Sequence, residues 1–260
     1  MTARRRKVVP LCLRKMERGL YIAASGMLAE LVRQDQLAND LANASTSGYK
    51  ADRSSQASFG ELLLESSATG QPIGPLGLGV HIAELKTDLA QGPVKQTGEP
   101  LDVALAGPGF LAVQTAPGTR YTRDGQLTVD AKGVLMTATG NPVLDAQGKT
   151  ISVAGHAADL TIGADGTITA GGKTLGKLAI LSLTNPAKQG DTLFTGTAGG
   201  APAGTTVRQG ALEGSGTNPA RVMVDMIVSL RAYEASQRVI HSIDETLQRG
   251  INSGGSVGGA

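Results

Sequence analysis

The chain has 260 residues, enough for one large domain or two small ones, with 40% hydrophobic residues, 36 Gly, no Trp and a single Cys. One cysteine makes neither a disulfide nor a thiolate cluster, and no apolar run reaches the roughly 18 residues that a membrane span requires. The formal charge of +2 is unevenly placed: MTARRRKVVPLCLRK carries six basic residues and no acid, so from Met16 onward 18 basic residues face 22 acidic ones. That leaves no electrostatic case for nucleic acid in the body of the chain. Residues 1–15 lack the continuous apolar stretch of a cleaved leader, because Pro10 interrupts VVPLCL. Patterned sequence starts abruptly after them, and we expect translation to begin at Met16 and this prefix to be dispensable.

Residues 16–45 predict a helix. Leu20, Ala24, Met27, Leu31, Gln34, Ala38 and Leu41 alternate in steps of four and three, an a/d stripe that wants a partner helix. Near its end Asn39 and Asn43 lie one turn apart on the face of Gln36. Their amides either bond the backbone of a neighbouring helix, fixing register, or bond their own turn. Gly48 suits the positive-φ reversal that follows. Residues 46–96, with Pro72, Pro75 and Pro93 among several Gly, predict an extended connector. Over 97–216 the period becomes two, and short strand-like pieces alternate with Asp-Gly, Lys-Gly and Gly-Gly turns. QLTVDAKGVLM and LTIGADGTIT each predict a hairpin, with Gly133 and Gly166 at the turns. Because these turns are local, residues 97–184 are expected to fold alone. Asn218-Pro219 opens a second helix over 217–249. There Met223, Met226, Leu230, Tyr233, Gln237, Ile240, Asp244 and Leu247 keep the same spacing, with Val239 and Ile243 widening the stripe. Gly250 should end it, leaving 250–260 as a disordered tail.

The fold class that results is α+β: N- and C-terminal helices forming a coiled-coil-like domain, with a central all-β, Gly-rich domain between them. One helix pair leaves much of the stripes wet, which points to helices from other copies. The expected oligomer interface is Leu20, Met27, Leu31, Leu41, Met226, Leu230, Tyr233, Ile240 and Leu247. No catalytic, cofactor or metal site is expected. His81, His156 and His241 are far apart, and no phosphate-cradling motif occurs. Asp124, Asp130, Asp145, Asp159 and Asp165 sit at turn signals and read as turn formers. Glu99, Asp102 and Asp124 are the carboxylates a wall-cleaving enzyme could use, without any distinguishing context.

QLANDLANASTSGYK resembles the N-terminal signature of bacterial flagellar axial proteins, the rod and hook family. Asn39, Asn43, Thr46, Gly48, Tyr49 and Lys50 stand at matching positions, and Asp40 replaces the family's first Asn. TGEPLDVALAGPGFLAV and RYTRDGQLTVDAKGVLMTATGNPVL are similar to its hook–basal-body rod domain. LEGSGTNPARVMVDMIVSLRAYEASQRVIHSID is similar to its C-terminal signature, with Ser215, Asn218, Met226, Ile227, Arg231, Tyr233 and Glu234 in place. The resemblance spans Met16 to about Leu247. Length and the lack of a large inserted outer domain favour a rod subunit over the hook protein, and the distal rod type over the proximal. It implies a structural subunit exported through the flagellar type III apparatus. Such a subunit assembles helically with itself and with neighbouring rod and hook subunits into the drive shaft of the basal body, without nucleic acid or membrane insertion. The alternatives are a hook-type or hook-scaffold subunit, or a rod-associated peptidoglycan-cleaving factor.

Overall fold

The computed structural model describes residues 11–65, 72–153, 159–190 and 192–255. Most of the basic prefix, His156 and residues 256–260 of the expected tail lie outside the described residues. The chain divides into two units: residues up to 39, 53–86 and from 220 onward form one, and residues 40–52 and 87–219 form the other.

In the first unit, helix α1 spans Leu11–Ala42 and so begins upstream of Met16. The expected connector is instead a paired ribbon. Its strands are β1 (Asp52–Ser58), β2 (Glu61–Glu65), β3 (Pro72–Gly77) and β4 (Val80–Thr87), with β1 against β4 and β2 antiparallel to β3. Proline fits there because a two-stranded ribbon is all edge, so a missing N–H can face outward. The second helix, introduced below as α2, starts at Pro219 and continues through Gly250 to Gly255. The expected stop at Gly250 does not occur. A single Gly weakens a helix by about 1 kcal/mol, and that alone does not end one.

Among the described residues the second unit holds fourteen short strands. They are β5 (Val94–Gln96), β6 (Val103–Ala106), β7 (Phe110–Thr115), β8 (Gly118–Thr122), β9 (Leu127–Val129), β10 (Leu135–Thr137) and β11 (Leu160–Ile162), followed by β12 (Thr167–Ala170), β13 (Lys173–Lys177), β14 (Ile180–Leu181), β15 (Leu183–Lys188), β16 (Leu193–Ala198), β17 (Thr206–Gln209) and β18 (Ala211–Glu213). A five-stranded antiparallel sheet runs β14-β7-β8-β16-β15, and β11-β12-β13 form a three-stranded one. β9–β10, β6–β17 and β5–β18 are antiparallel pairs.

Both predicted hairpins form, β9–β10 and β11–β12, with Gly133 and Gly166 at positive φ. Their carboxylates close the turns. Asp130 Oδ1 accepts from the amides of Lys132 and Val134, at 2.9 and 2.7 Å, and Asp165 Oδ1 accepts from that of Thr167 at 3.1 Å. Asp145 does the same for Gln147 and Lys149.

The main core gathers Leu111, Val113, Leu135, Val143, Ile168 and Val207, while Phe110 and Phe194 centre a second cluster with rings 5.2 Å apart. The core of residues 97–184 is completed from outside that range. Those residues lack Phe194 on β16, which lies between β8 and β15, and Val207 on β17.

Candidate assembly site

The signature after α1 is built into the second unit by hydrogen bonds that converge on one carboxylate. Gly48 adopts φ +65, and a side chain there would strike the Arg123 carbonyl, so only glycine lets the chain pass this close. Its amide donates to the Glu213 carbonyl at 2.8 Å, and the Gly216 amide donates to the Tyr49 carbonyl at 2.9 Å. These two bonds tie the segment leaving α1 to the segment that leads into α2 (Pro219–Gly255). Between them sits an ionic cluster. Lys50 Nζ donates to Glu213 Oε1 at 2.5 Å and to the Ala90 carbonyl at 2.7 Å. The Gly92 amide reaches the same Oε1 at 2.9 Å, and Arg123 Nη1 reaches Oε2 at 3.0 Å. Arg123 Nη2 donates to the Gly107 carbonyl, and its guanidinium lies 5.2 Å from the Phe110 ring centre. Lys50 and Glu213 are each 1% exposed, so this is a buried triad with its hydrogen bonds supplied mainly by backbone.

Tyr49 forms the other half of the latch. Its hydroxyl donates to Asp40 Oδ1 at 2.8 Å, and Lys188 Nζ lies 4.0 Å over its ring while donating to the Lys50 carbonyl and to Asp52 Oδ2. Burial pushes the Asp40 carboxyl above its ordinary range, against the pull of the Tyr49 hydrogen bond and the Lys188 charge. Burial also lowers the Lys50 ammonium, which the Glu213 carboxylate opposes, and it raises the Tyr49 hydroxyl.

Asn43 Oδ1 accepts from Thr46 Oγ1 at 3.2 Å and its carbonyl accepts from the Thr46 amide, a local turn. Asn39 is exposed.

The helices of the first unit meet in antiparallel order. A side chain at Gly19 would touch Ile243 Cδ1, one at Gly26 would touch Ser236 Oγ, and Ser229 Oγ donates to Glu30 Oε2 at 2.6 Å. The face of α2 turned inward is Val222, Met226, Ser229, Tyr233, Ser236, Ile240, Ile243 and Leu247. Four expected interface residues, Met226, Tyr233, Ile240 and Leu247, lie half-buried on this face, and Met27 and Leu41 of α1 are half-buried as well. Leu20, Leu31 and Leu230 point outward, 40%, 41% and 47% exposed. Sequence reading placed Lys50 in the signature without its partners, and missed Arg123, Glu213 and Ser229 as site residues. Alternation along β18 carried a signal for Glu213. Ala211 and Glu213 share the inward face, and a buried carboxylate needs a cation.

Asp102 and Asp124 are buried, and Asp124 Oδ1 accepts from the Gln126 amide at 3.1 Å, a turn role. Its carboxyl is pushed up by burial and, less, by the Asp102 charge. Among the described residues, no three His, Cys, Asp or Glu come together as a metal site, and no helix is long and apolar enough to cross a membrane.

Three family models match in chain order. Residues 20–50 match the flagella basal body rod protein model, 104–170 the flagellar hook protein FlgE/F/G D1 domain, and 208–253 the flagellar basal body rod FlgEFG protein C-terminal model. The latch joins all three ranges, through Lys50, Arg123 and Glu213. The chain is 32% identical to the flagellar basal-body rod protein FlgF of Caulobacter vibrioides, over 93% of this chain and 100% of that one. It is 35% identical to FlgG of Agrobacterium fabrum over 88% and 96%, and 32% identical to FlgG of Bacillus subtilis over 91% and 99%. The chain therefore belongs to the flagellar basal-body rod protein family and is a structural component of the bacterial flagellar basal body.

Proposed function

We propose that this rod subunit assembles helically with copies of itself, through the outward faces of its terminal helices, and acts in the drive shaft rather than as an enzyme. The observation that carries this reading is that both helices are apolar on two sides. One side of α2 faces α1, and yet Leu20, Tyr21, Leu28, Leu31 and Val32 on α1 and Met223, Val224, Ile227, Val228 and Leu230 on α2 remain exposed. Apolar faces this long are uncommon on a monomer and mark a surface that another chain covers. Neighbouring rod and hook subunits continue the same packing at the ends of the distal rod segment, and the flagellar export apparatus delivers the chain unfolded. Relatives named FlgF and FlgG match almost equally, so the place along the rod rests on the sequence resemblance alone.

Leu31→Asp and Leu230→Asp test the reading. Each should leave purified chain folded by circular dichroism, yet remove it from isolated basal bodies and abolish swimming. A charge buried without a partner costs several kcal/mol in each repeated contact. Cells that swim normally with either variant would refute the helix-face assembly, and tagged wild-type protein in the hook or the proximal rod would correct its position.

A further inference from the structure

The helical unit carries an apolar groove between α1 and the ribbon. Tyr21, Leu28 and Val32 form its α1 wall, and Phe59, His81 and Ile82 form the opposite wall, around a cavity of about 270 Å³. The two walls are fixed to each other. Ser25 Oγ accepts from the Val80 amide at 3.3 Å, and Gly79 packs so closely on Ser25 that a side chain would collide with it. Phe59 stacks on His81 with ring centres 4.7 Å apart. Within the described residues His81 Nδ1 is buried without a hydrogen-bond partner.

We propose that this groove receives the outward stripe of α2, centred on Ile227, from a second copy of the chain. The proposal rests on the rod reading and names the contact that makes it a polymer.

Three arguments select this occupant. The first is area. Tyr21, Leu28, Val32 and Phe59 are between 47% and 65% exposed, and Met223, Val224, Ile227, Val228 and Leu230 between 47% and 59%. At about 100 Å² for each half-exposed large side chain, the two patches offer roughly 400 and 500 Å². Joined, they approach the ~1,000 Å² that a specific interface must clear before any polar rim is added. The second is shape. Met223, Ile227 and Leu230 stand at i, i+4 and i+7, with Val224 and Val228 beside them, the pattern of a helix laid in a groove. That stripe is about 10 Å long, and the α1 wall from Tyr21 to Val32 is about 16 Å. The third is topology. The chain's own α2 turns Val222, Ser229 and Ser236 toward α1, so its outward stripe faces away and cannot fill its own groove. A groove on one copy that takes the stripe of the next, repeated in one direction, is a heterologous contact, and a rotation that does not close extends it into an open helical series.

Disulfide trapping in basal bodies tests this. Two differently tagged copies are expressed together in a Cys12→Ser background, which removes the only native cysteine. One copy carries Leu28→Cys, Val32→Cys or Phe59→Cys, and the other carries Val224→Cys, Ile227→Cys or Val228→Cys. Lys132→Cys in place of the groove cysteine serves as the control. The expected result is an oxidised product bearing both tags for at least one of the nine pairs, and none for the control. Basal bodies that contain both copies but give no mixed product from any pair would overturn the contact while leaving the rod reading intact. Equal trapping of the control would overturn it as well. Copies absent from basal bodies even when co-expressed with wild type would sink both readings together.

Discussion

Replacing Glu213 by Leu asks how much the buried triad holds. The side-chain volume is kept, but the carboxylate that Lys50, Arg123 and the Gly92 amide share is gone. Lys50, 1% exposed, then keeps one acceptor, the Ala90 carbonyl. It can escape as the neutral amine, and at pH 7 removing a proton from a lysine of ordinary pKa near 10.4 costs about 4.6 kcal/mol. That caps the Lys50 share alone, because Arg123 loses the same carboxylate and stays charged; the total expected is the roughly 3–5 kcal/mol seen when one partner of a buried pair is removed. With a urea slope of about 2 kcal/mol/M, the unfolding midpoint of the full chain should fall by about 1.5–2.5 M. The sign with pH follows. Burial lowers the Lys50 ammonium below its ordinary value, so the fold binds fewer protons than the unfolded chain as pH rises toward 10, and the loss should shrink there. The triple variant Lys50→Met, Arg123→Leu, Glu213→Leu removes every charge together and should lie closer to wild type than Glu213→Leu alone. A midpoint shift under about 0.3 M for Glu213→Leu, or a triple variant worse than the single one, would refute the reasoning.

Gly48→Ala should cost at least about 2 kcal/mol, because alanine at φ +65 is strained and its methyl meets the Arg123 carbonyl; a thermal midpoint within 2 °C of wild type would contradict this. Asp40→Asn keeps an oxygen for the Tyr49 hydroxyl but removes a buried charge. Since the folded pKa of Asp40 lies above its unfolded 3.8, wild type loses stability as pH rises through the folded value, and the variant should be the more stable at pH 7 with no advantage below about pH 4. Ser229→Leu puts a large side chain where exposure is 0% and deprives Glu30 of its donor, so the helical unit should lose about 1–3 kcal/mol, read as earlier melting of the 222 nm signal.

The β unit was legible where turn chemistry is local. Asp130 with Gly133 and Asp165 with Gly166 announce their hairpins, and the carboxylates close those turns as expected. The connector was not legible, since β2 and β3 pair through Pro72 and Pro75, residues that usually demote a strand. The seam of α2 was read one residue out of step at Met223, Leu230 and Gln237 in place of Val222, Ser229 and Ser236, while Ile243, read as widening the stripe, does lie on the inward face. The cause is physical. A rule that counts apolar residues passes over serine and glycine, yet Gly19, Gly26, Ser229 and Ser236 are small enough to let two helix backbones approach. The larger side chains beside them are then left for the outward face.

That displacement changes what the stripes mean. If Leu31 and Leu230 had faced the chain's own partner helix, their apolar surface would be spent inside one molecule. Because they face outward, the inner seam and the outer faces are separate surfaces of the same two helices. Lys50 and Glu213 are 163 positions apart, and the bonds between Gly48, Tyr49, Glu213 and Gly216 fix the end of the α1 segment beside the start of the α2 segment. Residues of the N- and C-terminal signatures are therefore bonded directly to each other, and Arg123 from the segment between them completes the cluster on Glu213.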